Sequence, residues 1–121
     1  VRVALTNSPL HALVTLNDPT FVEAARALAA AVMSEHGLRD ERLSAAFERV
    51  VGRWPRPDET AILARMWESQ YRRYEGDPGA AESVLAVGES PRPPGLDPAE
   101  HAATTVTCLA ILNLDEAITR E

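Results

Sequence analysis

The sequence predicts an all-α fold, a compact bundle of about six helices around a buried C-terminal helix. Between Ala102 and Leu114 there is no charged side chain, and these thirteen residues are too short to span a bilayer as a helix. A run of this kind in a globular domain is typical of a helix buried on most of its circumference. Elsewhere, Asp-Pro pairs and single glycines occur at the spacing of helix starts and ends. No stretch alternates polar and apolar residues for long enough to require a strand.

Helix-start signals predict the first two helices. Asn7-Ser8-Pro9 places a capping side chain before a proline that suits a first turn, so a short helix is expected from Pro9 to Leu16. Asp18-Pro19 repeats this signal. The second helix should end at Gly37, with His36 in its last turn, where a partial positive charge suits the helix dipole. Its buried face should consist of apolar residues at helical spacing, namely Phe21, Ala25, Leu28 and Val32.

The middle of the chain predicts two longer helices on either side of a proline-rich turn. Asp40 is expected to cap a third helix that ends at Gly52. The segment Trp54-Pro55-Arg56-Pro57 cannot be helical, because each proline restricts the residue before it, so a fourth helix should begin at Pro57. Glu68 and Arg72 should pair one turn apart on its exposed side. The buried faces of these two helices should contain Leu43, Phe47 and Val50, and Leu63, Met66, Trp67, Gln70 and Tyr74.

The last third of the chain predicts a short helix, a loop and the central helix. Gly76-Asp77-Pro78 marks a stop and a start, and the short helix should run to Ala86 or Val87. The loop from Gly88 to Leu96 holds three prolines and two glycines. Asp97-Pro98 then begins the central helix. Its threonine hydroxyls should bond back to carbonyls one turn earlier, at Thr104, Thr105 and Thr107.

Composition excludes several classes of function. The net charge of −6 argues against a general affinity for nucleic acid or anionic lipid. All twelve basic residues are arginine, which removes Schiff-base lysines and the lysine of a P-loop. Cys108 is the single cysteine, and its apolar surroundings predict a small buried hydrophobe instead of a reactive thiol. No signal peptide, membrane span or lipidation motif is visible, and we interpret residues 1–121 as one helical domain, the C-terminal piece of a longer protein.

Searches for catalytic and metal-binding patterns are mostly negative. His11, His36 and His101 lack the spacing of a metal site, so surface or capping roles are expected for them. Gly88-Glu89-Ser90 begins like a nucleophile elbow, but Pro91 follows and no strand precedes it. Arg53 and Arg56 beside Trp54 can stack on a base or an anion, although an arginine-flanked turn whose aromatic ring packs into the core is favoured. No catalytic residue, metal or cofactor is assigned.

One polar cluster is a candidate site. Two Leu-Asn steps, Leu16-Asn17 and Leu112-Asn113, each leave an apolar helix and are followed closely by acids. Carboxylates and amides at two helix ends can form a hydrogen-bonded knot, a calcium site or a general acid/base pair. Capping, with pairing of Glu116 and Arg120, explains them without function and is favoured. The candidate residues are Asn17, Asp18, Asn113, Asp115, Glu116 and Arg120, with Glu121 beside them.

Three segments carry a family resemblance. SPLHAL followed by LNDPTFVEAAR, up to Arg26, resembles the signature of a C-terminal domain of unknown function found in planctomycete multidomain proteins. AFERVVGRWPRP, ending at Pro57, and the terminal stretch ending LNLDEAITRE resemble two further segments of that domain. His11, and the start of the last helix from His101 to Thr104, depart from the family pattern.

The resemblance implies a tail of a large exported protein, often with a planctomycete-type cytochrome c domain elsewhere. Since this chain has no C-x-x-C-H motif, any haem would belong to another part of the parent. The family offers no catalytic residues to carry over. The first hypothesis is therefore a non-catalytic structural or interaction module that docks on upstream domains or on a second copy, with no nucleic acid and no membrane span.

Two other hypotheses stay open. In one, the polar cluster contributes part of a carbohydrate-related active or binding site that upstream domains complete. In the other, aromatic rings bind a ligand, since such rings stack on sugars, and the residues concerned are Trp54, Trp67, Tyr71 and Tyr74.

Overall fold

The computed structural model describes residues 18–119, with side chains described up to Leu114. Within these residues the chain is all-helical, with five helices and no strand, which confirms the predicted fold class. The described residues contain five helices, one fewer than the expected number of about six, and the predicted helix from Pro9 to Leu16 lies outside them. The helices are α1 (Pro19–Glu35), α2 (Arg39–Val51), α3 (Pro57–Glu75), α4 (Pro78–Leu85) and α5 (Pro98–Thr119).

Proline and aspartate set the helix starts, as predicted. Four of the five helices begin with proline, whose fixed φ suits a first turn and whose missing N–H costs nothing there. The carboxylates of three preceding aspartates accept backbone N–H groups of the first turn, at 2.9–3.1 Å, and these are Asp18, Asp77 and Asp97. The expected cap at Asp40 is wrong. The N-cap is Leu38 and helix α2 starts two residues earlier than expected, so Asp40 lies inside its first turn and accepts a hydrogen bond from Arg39 Nε at 2.9 Å instead.

Helix ends follow the glycines less closely. Gly52 ends α2 in the left-handed conformation, with φ of 90°, as predicted. Helix α1 ends at Glu35, because His36 is already extended, with φ of −131°, although its N–H still donates to the Val32 carbonyl. His36 is therefore a capping residue outside the helix and is not in its last turn.

Helix α5 is the centre of the bundle and contacts each of the other four described helices. Residues 101–108 are all buried, and eight consecutive residues cover every side of a helix, so this part of α5 has no solvent-facing side. The hydroxyls of Thr104, Thr105 and Thr107 donate to the carbonyls four residues earlier at 2.7, 2.8 and 2.9 Å. The predicted buried C-terminal helix is confirmed.

Small residues let α1 approach α5 closely. Ala25 and Ala29 on α1 and Ala103 on α5 are fully buried in the main apolar cluster. A second cluster joins α3 and α4 to the start of α5 through Tyr74, Leu85 and Val106. The predicted buried residues of α3 are confirmed, and on α2 Leu43 and Phe47 are buried and Val50 partly so. Phe21 is the exception, with 39% of its surface exposed, because the buried face of α1 is rotated toward Ala29, Ala30 and Met33.

Candidate functional site

A set of polar contacts ties α1 to the loop between α4 and α5. One oxygen of Glu23, Oε2, accepts hydrogen bonds from the backbone N–H of Glu89 at 3.1 Å and of Ser90 at 2.8 Å. It also accepts the Ser90 hydroxyl at 2.6 Å. We call this arrangement, formed by Glu23 and Arg26 with residues 87–90, the loop latch. Its partners are 61 to 67 residues apart in sequence.

Arg26 supplies the second half of the loop latch. It is only 2% exposed, and its guanidinium donates to the Val87 carbonyl from Nε at 3.0 Å and to the Ser90 carbonyl from Nη2 at 2.8 Å. A buried guanidinium needs such acceptors, because an unsatisfied charged donor away from water is costly. Since Glu23 and Arg26 are three residues apart, they lie on the same side of α1, and both hydrogen-bond the backbone of the loop.

Gly88 makes the loop latch possible. Its backbone φ is 82°, which residues that have a side chain rarely adopt. A Cβ at this position would lie 2.4 Å from the carboxyl carbon of Glu23. The glutamate can therefore reach the following backbone N–H groups only because residue 88 is glycine.

In the loop latch, the Ser90 hydroxyl beside the Glu23 carboxylate resembles a nucleophile beside a general base, but the contacts favour a structural role. The pKa of Glu23 is lowered, mainly by the hydrogen bond from the Ser90 hydroxyl and then by the two backbone N–H groups. A carboxylate that already accepts three hydrogen bonds is a weak base toward a hydroxyl. The arrangement assigns Ser90 and Glu23 to holding the loop in place.

His101 is fully buried at the start of α5, which corrects the expected surface or capping role. Neither ring nitrogen makes a hydrogen bond of normal geometry within the described part of the chain. Burial lowers the pKa of His101, and the nearby Arg26 backbone carbonyl offsets this only in part. The imidazole is therefore neutral at pH 7, and the position of α5 at the centre of the bundle explains why the ring is inside.

A second polar centre fixes the turn between α2 and α3. The carboxylate of Glu59, which is 6% exposed, accepts two hydrogen bonds from the Arg53 guanidinium, at 2.8 and 3.0 Å. It also accepts the Arg56 backbone N–H at 2.8 Å and a longer bond from the Arg56 side chain at 3.4 Å. The pKa of Glu59 is lowered to about 2, mainly by the hydrogen bonds from Arg53. The Arg56 backbone N–H and the charges of both arginines lower it further, whereas burial alone would raise it. Arg53 is therefore held by Glu59, and the more exposed Arg56 lies near both Glu59 and Asp58, so both arginines have acidic partners within the turn.

Trp54 does not pack into the core, which was the favoured expectation, but is 65% exposed. The Arg53 guanidinium lies 5.1 Å from the centre of the Phe47 ring and covers this core aromatic instead. The indole lines an open groove of about 330 Å³ on the outer side of α2. We call it the Trp54 groove, and its other lining residues are His36, Asp40, Glu41, Ser44 and Ala45.

The four aromatic rings proposed as a ligand site do not form one surface. Trp67 and Tyr74 are buried, and Trp67 Nε1 donates to the Thr104 hydroxyl at 3.0 Å. The Trp67 and Tyr71 rings are stacked, with centroids 4.9 Å apart and planes 8° apart. The burial of Trp67 and Tyr74 removes the hypothesis that all four rings bind a ligand together, while Trp54 is exposed and Tyr71 is partly buried.

Only two residues of the candidate polar cluster have described side chains. Asp18 is exposed and caps α1 by accepting the Thr20 N–H at 2.9 Å. Asn113 is half-buried within α5, which continues to Thr119, so the expectation that Leu112-Asn113 leaves the helix is wrong. The other members lie outside the described side chains, namely Asn17, Asp115, Glu116 and Arg120, with Glu121. Whether the cluster assembles stays a prediction, while the described contact of Asp18 is a capping contact.

The described residues also bear on the expectations for the cysteine, for metal ligands and for a membrane span. Cys108 is a free, fully buried thiol, and burial raises its pKa to about 12, which confirms the prediction of a small buried hydrophobe. Among residues 18–114, no three histidine, cysteine or acidic side chains are grouped so that they could hold a metal ion. None of the five described helices combines the length and the hydropathy needed to cross a bilayer.

These features define an all-α domain in which the buried or strongly hydrogen-bonded polar side chains, such as Arg26 and Glu59, hold the domain's own loops and turns. A family profile described as PSD1, protein of unknown function (DUF1553), matches residues 1–67, which is more than half of the chain. The chain belongs to this family, and the predicted membership of a domain family of unknown function is confirmed. The matched residues include Glu23, Arg26 and the Arg53–Glu59 turn, but not the loop that the latch holds. A search of curated proteins and a search of solved structures each found no match.

Proposed function

We propose that the chain is a non-catalytic helical module that docks on upstream domains of a longer exported protein or on a second copy of itself. The observation that carries this proposal is the pair of large apolar side chains at Leu38 and Trp54, each 65% exposed. Leu38 lies in the chain between His36 and Asp40, which line the Trp54 groove. An exposed tryptophan next to a groove is typical of protein interfaces, where tryptophan is enriched among the residues that carry the binding energy.

The polar groups support the same proposal, because those with reactive side chains are used in folding. Glu23 and Ser90 hold the loop latch, and Glu59 holds the two arginines of the turn before α3. Cys108 has no access to solvent. Among the described residues, this leaves exposed surfaces as the features that support the docking proposal.

The setting of the module follows from the family resemblance. The DUF1553 family match includes the LNDP and GRWPRP segments. The resemblance described under Sequence analysis adds that such domains form the C-terminal region of planctomycete multidomain proteins. We propose on that basis an exported parent protein, with any cytochrome c domain in another part of it.

The test measures Trp54-dependent association. The 121-residue chain is mixed with the separately expressed preceding region of its parent, and both mass by light scattering and binding by calorimetry are recorded. We expect association with the preceding region or self-association, weakened about tenfold or more by Trp54→Ser, as for a hot-spot residue. Phe21→Ser, which alters an exposed ring that does not line the groove, is the control. A strictly monomeric chain that ignores the preceding region would refute the proposal.

A second candidate function is part of a carbohydrate-related site completed by upstream domains. It is favoured by one observation, the open Trp54 ring beside the carboxylates of Asp40 and Glu41. The polar cluster is tested in the full parent with Asp115→Asn and Glu116→Gln. Loss of activity with unchanged stability supports a site, whereas loss of stability alone indicates a scaffold.

A further inference from the structure

We propose that the Trp54 groove binds a cationic and apolar peptide segment, one that presents an arginine or lysine next to an aliphatic side chain. This inference rests on the proposed docking function and adds the chemistry of the partner. It combines an exposed indole face, an apolar groove floor at Ala45 and acidic residues along the groove.

The charge of the groove favours a cation. Asp40 and Glu41 both line it, and within the described residues no basic side chain lies within 4.0 Å of the Glu41 carboxylate. The Arg39 guanidinium contacts Asp40, but it also contacts Glu68 at 3.3 Å. Arg39 therefore only partly neutralises the negative charge of Asp40 and Glu41. The whole chain has a net charge of −6, which steers positively charged partners toward it.

The nearby arginines do not oppose this charge. Arg53 and Arg56 flank Trp54 in sequence, but both donate to the buried Glu59 carboxylate. Arg56 Nε also lies 3.6 Å from Asp58 Oδ1, so the two arginine charges are matched by the two carboxylates of Glu59 and Asp58. An incoming guanidinium or ammonium group can lie over the open indole face, which is the preferred partner for a cation among aromatic rings.

Size and symmetry narrow the occupant further. A groove of about 330 Å³ is at the small end of ligand sites and suits one or two side chains of a short segment. Two copies of this chain docked groove to groove would bring their unpaired Glu41 side chains together, which costs binding energy. A neutral sugar would use the indole but would leave the Glu41 charge without a partner. A basic peptide segment satisfies both features.

The experiment uses the ¹⁵N-labelled 121-residue chain and the peptide acetyl-Leu-Arg-Leu-Arg-Leu-amide. The matched peptide replaces both arginines with citrulline, which keeps the shape and removes the charge. We expect the arginine peptide to shift the backbone signals of residues 40–45 and the Trp54 indole signal, with the citrulline peptide binding at least fivefold more weakly. Raising NaCl from 50 to 300 mM should weaken only the arginine peptide.

Variants assign the binding to the groove. Trp54→Ala should abolish it and Glu41→Gln should weaken it severalfold. Glu48→Gln removes an acid from the same helix that does not line the groove, and should leave affinity unchanged. Equal binding of the two peptides, equal effects of the two glutamate variants, or signal shifts away from the groove would overturn the proposal.

Two further outcomes separate this inference from the docking function. Xylohexaose that shifts the same groove signals while the peptide does not would assign a carbohydrate and overturn the peptide proposal. Absence of peptide binding together with Trp54-dependent association with the preceding region would refute the partner chemistry alone. Absence of both would refute the docking function as well.

Discussion

Glu59→Gln should destabilise the protein at neutral pH and have no effect at pH 2. A pKa of about 2 in the folded protein, in place of 4.5, corresponds at most to about 3 kcal/mol of stability at pH 7. Because the Arg53 side chain is 45% exposed, solvent screens the pair and we expect about 1 to 2 kcal/mol. Since folding lowers the pKa of Glu59, this contribution is complete above pH 4.5 and is lost as the pH falls from 4.5 toward 2.

The assay is urea unfolding followed by helical circular dichroism, at several pH values between 7 and 2. The quantity of interest is the difference in unfolding free energy between the natural chain and the variant, because the other acids titrate in both. Asp58→Asn is the matched control, since this neighbouring acid is also in the first turn of α3 but its side chain is 72% exposed. It should change stability by less than about 0.5 kcal/mol. A Glu59→Gln difference that stays constant down to pH 2, or that Asp58→Asn reproduces, would refute the reasoning.

Three further predictions concern the loop latch and α5. Gly88→Ala should lower the Tm more than Gly95→Ala, because both glycines have positive φ but only a Cβ at Gly88 collides with the latch carboxylate, and equal melting shifts would contradict this. Thr104→Val should cost about 1 to 2 kcal/mol by leaving a buried indole N–H unpaired, whereas Thr107→Val, whose hydroxyl donates only to a backbone carbonyl, should cost less in urea unfolding. Folding lowers the pKa of His101, so the natural chain should lose stability as the pH falls below 6.5, and His101→Gln should flatten this dependence in melts at pH 7 and 5.

Helix starts could be predicted from sequence because the deciding interactions are local. Proline fixes its own φ, and an aspartate carboxylate reaches only the N–H groups two or three residues ahead. Pro19, Pro57, Pro78 and Pro98 therefore begin helices as predicted. Asp40 shows the limit of this reasoning, since the chain begins α2 two residues earlier than expected, after Leu38 and without any side-chain cap.

The orientation of side chains at the edges of the core could not be predicted in the same way. Trp54 was expected inside and His101 outside, and both are reversed. Each depends on where a neighbouring helix lies, because Arg53 covers Phe47 in place of Trp54, and α5 is enclosed from its first turns. One signal for His101 was present, since it directly precedes the charge-free stretch.

The loop latch was missed because its halves are distant in sequence. Glu23 and Arg26 had a visible spacing of three residues, but nothing in α1 indicates the loop at residues 87–90 as their partner. From the sequence, Gly88 is only the first residue of a proline-rich loop and of a partial match to a nucleophile elbow. Its close approach to Glu23 is a tertiary contact that a single sequence does not reveal.

The contacts divide the family segments into residues that fold the domain and residues that do not. In the LNDPTFVEAAR segment, Asp18 caps α1 while Glu23 and Arg26 hold a loop, so these polar positions are accounted for by folding. In the GRWPRP segment, the arginines are bound by Glu59. Among the described residues of these two segments, Trp54 is the most exposed large apolar side chain, at 65% against 39% for Phe21, although burying its ring would be favourable. A large apolar side chain that stays in water at the centre of a family segment contributes little to the stability of the isolated chain, whereas its burial against a partner would be favourable. This is the physical reason to look for the function of the domain at the Trp54 groove.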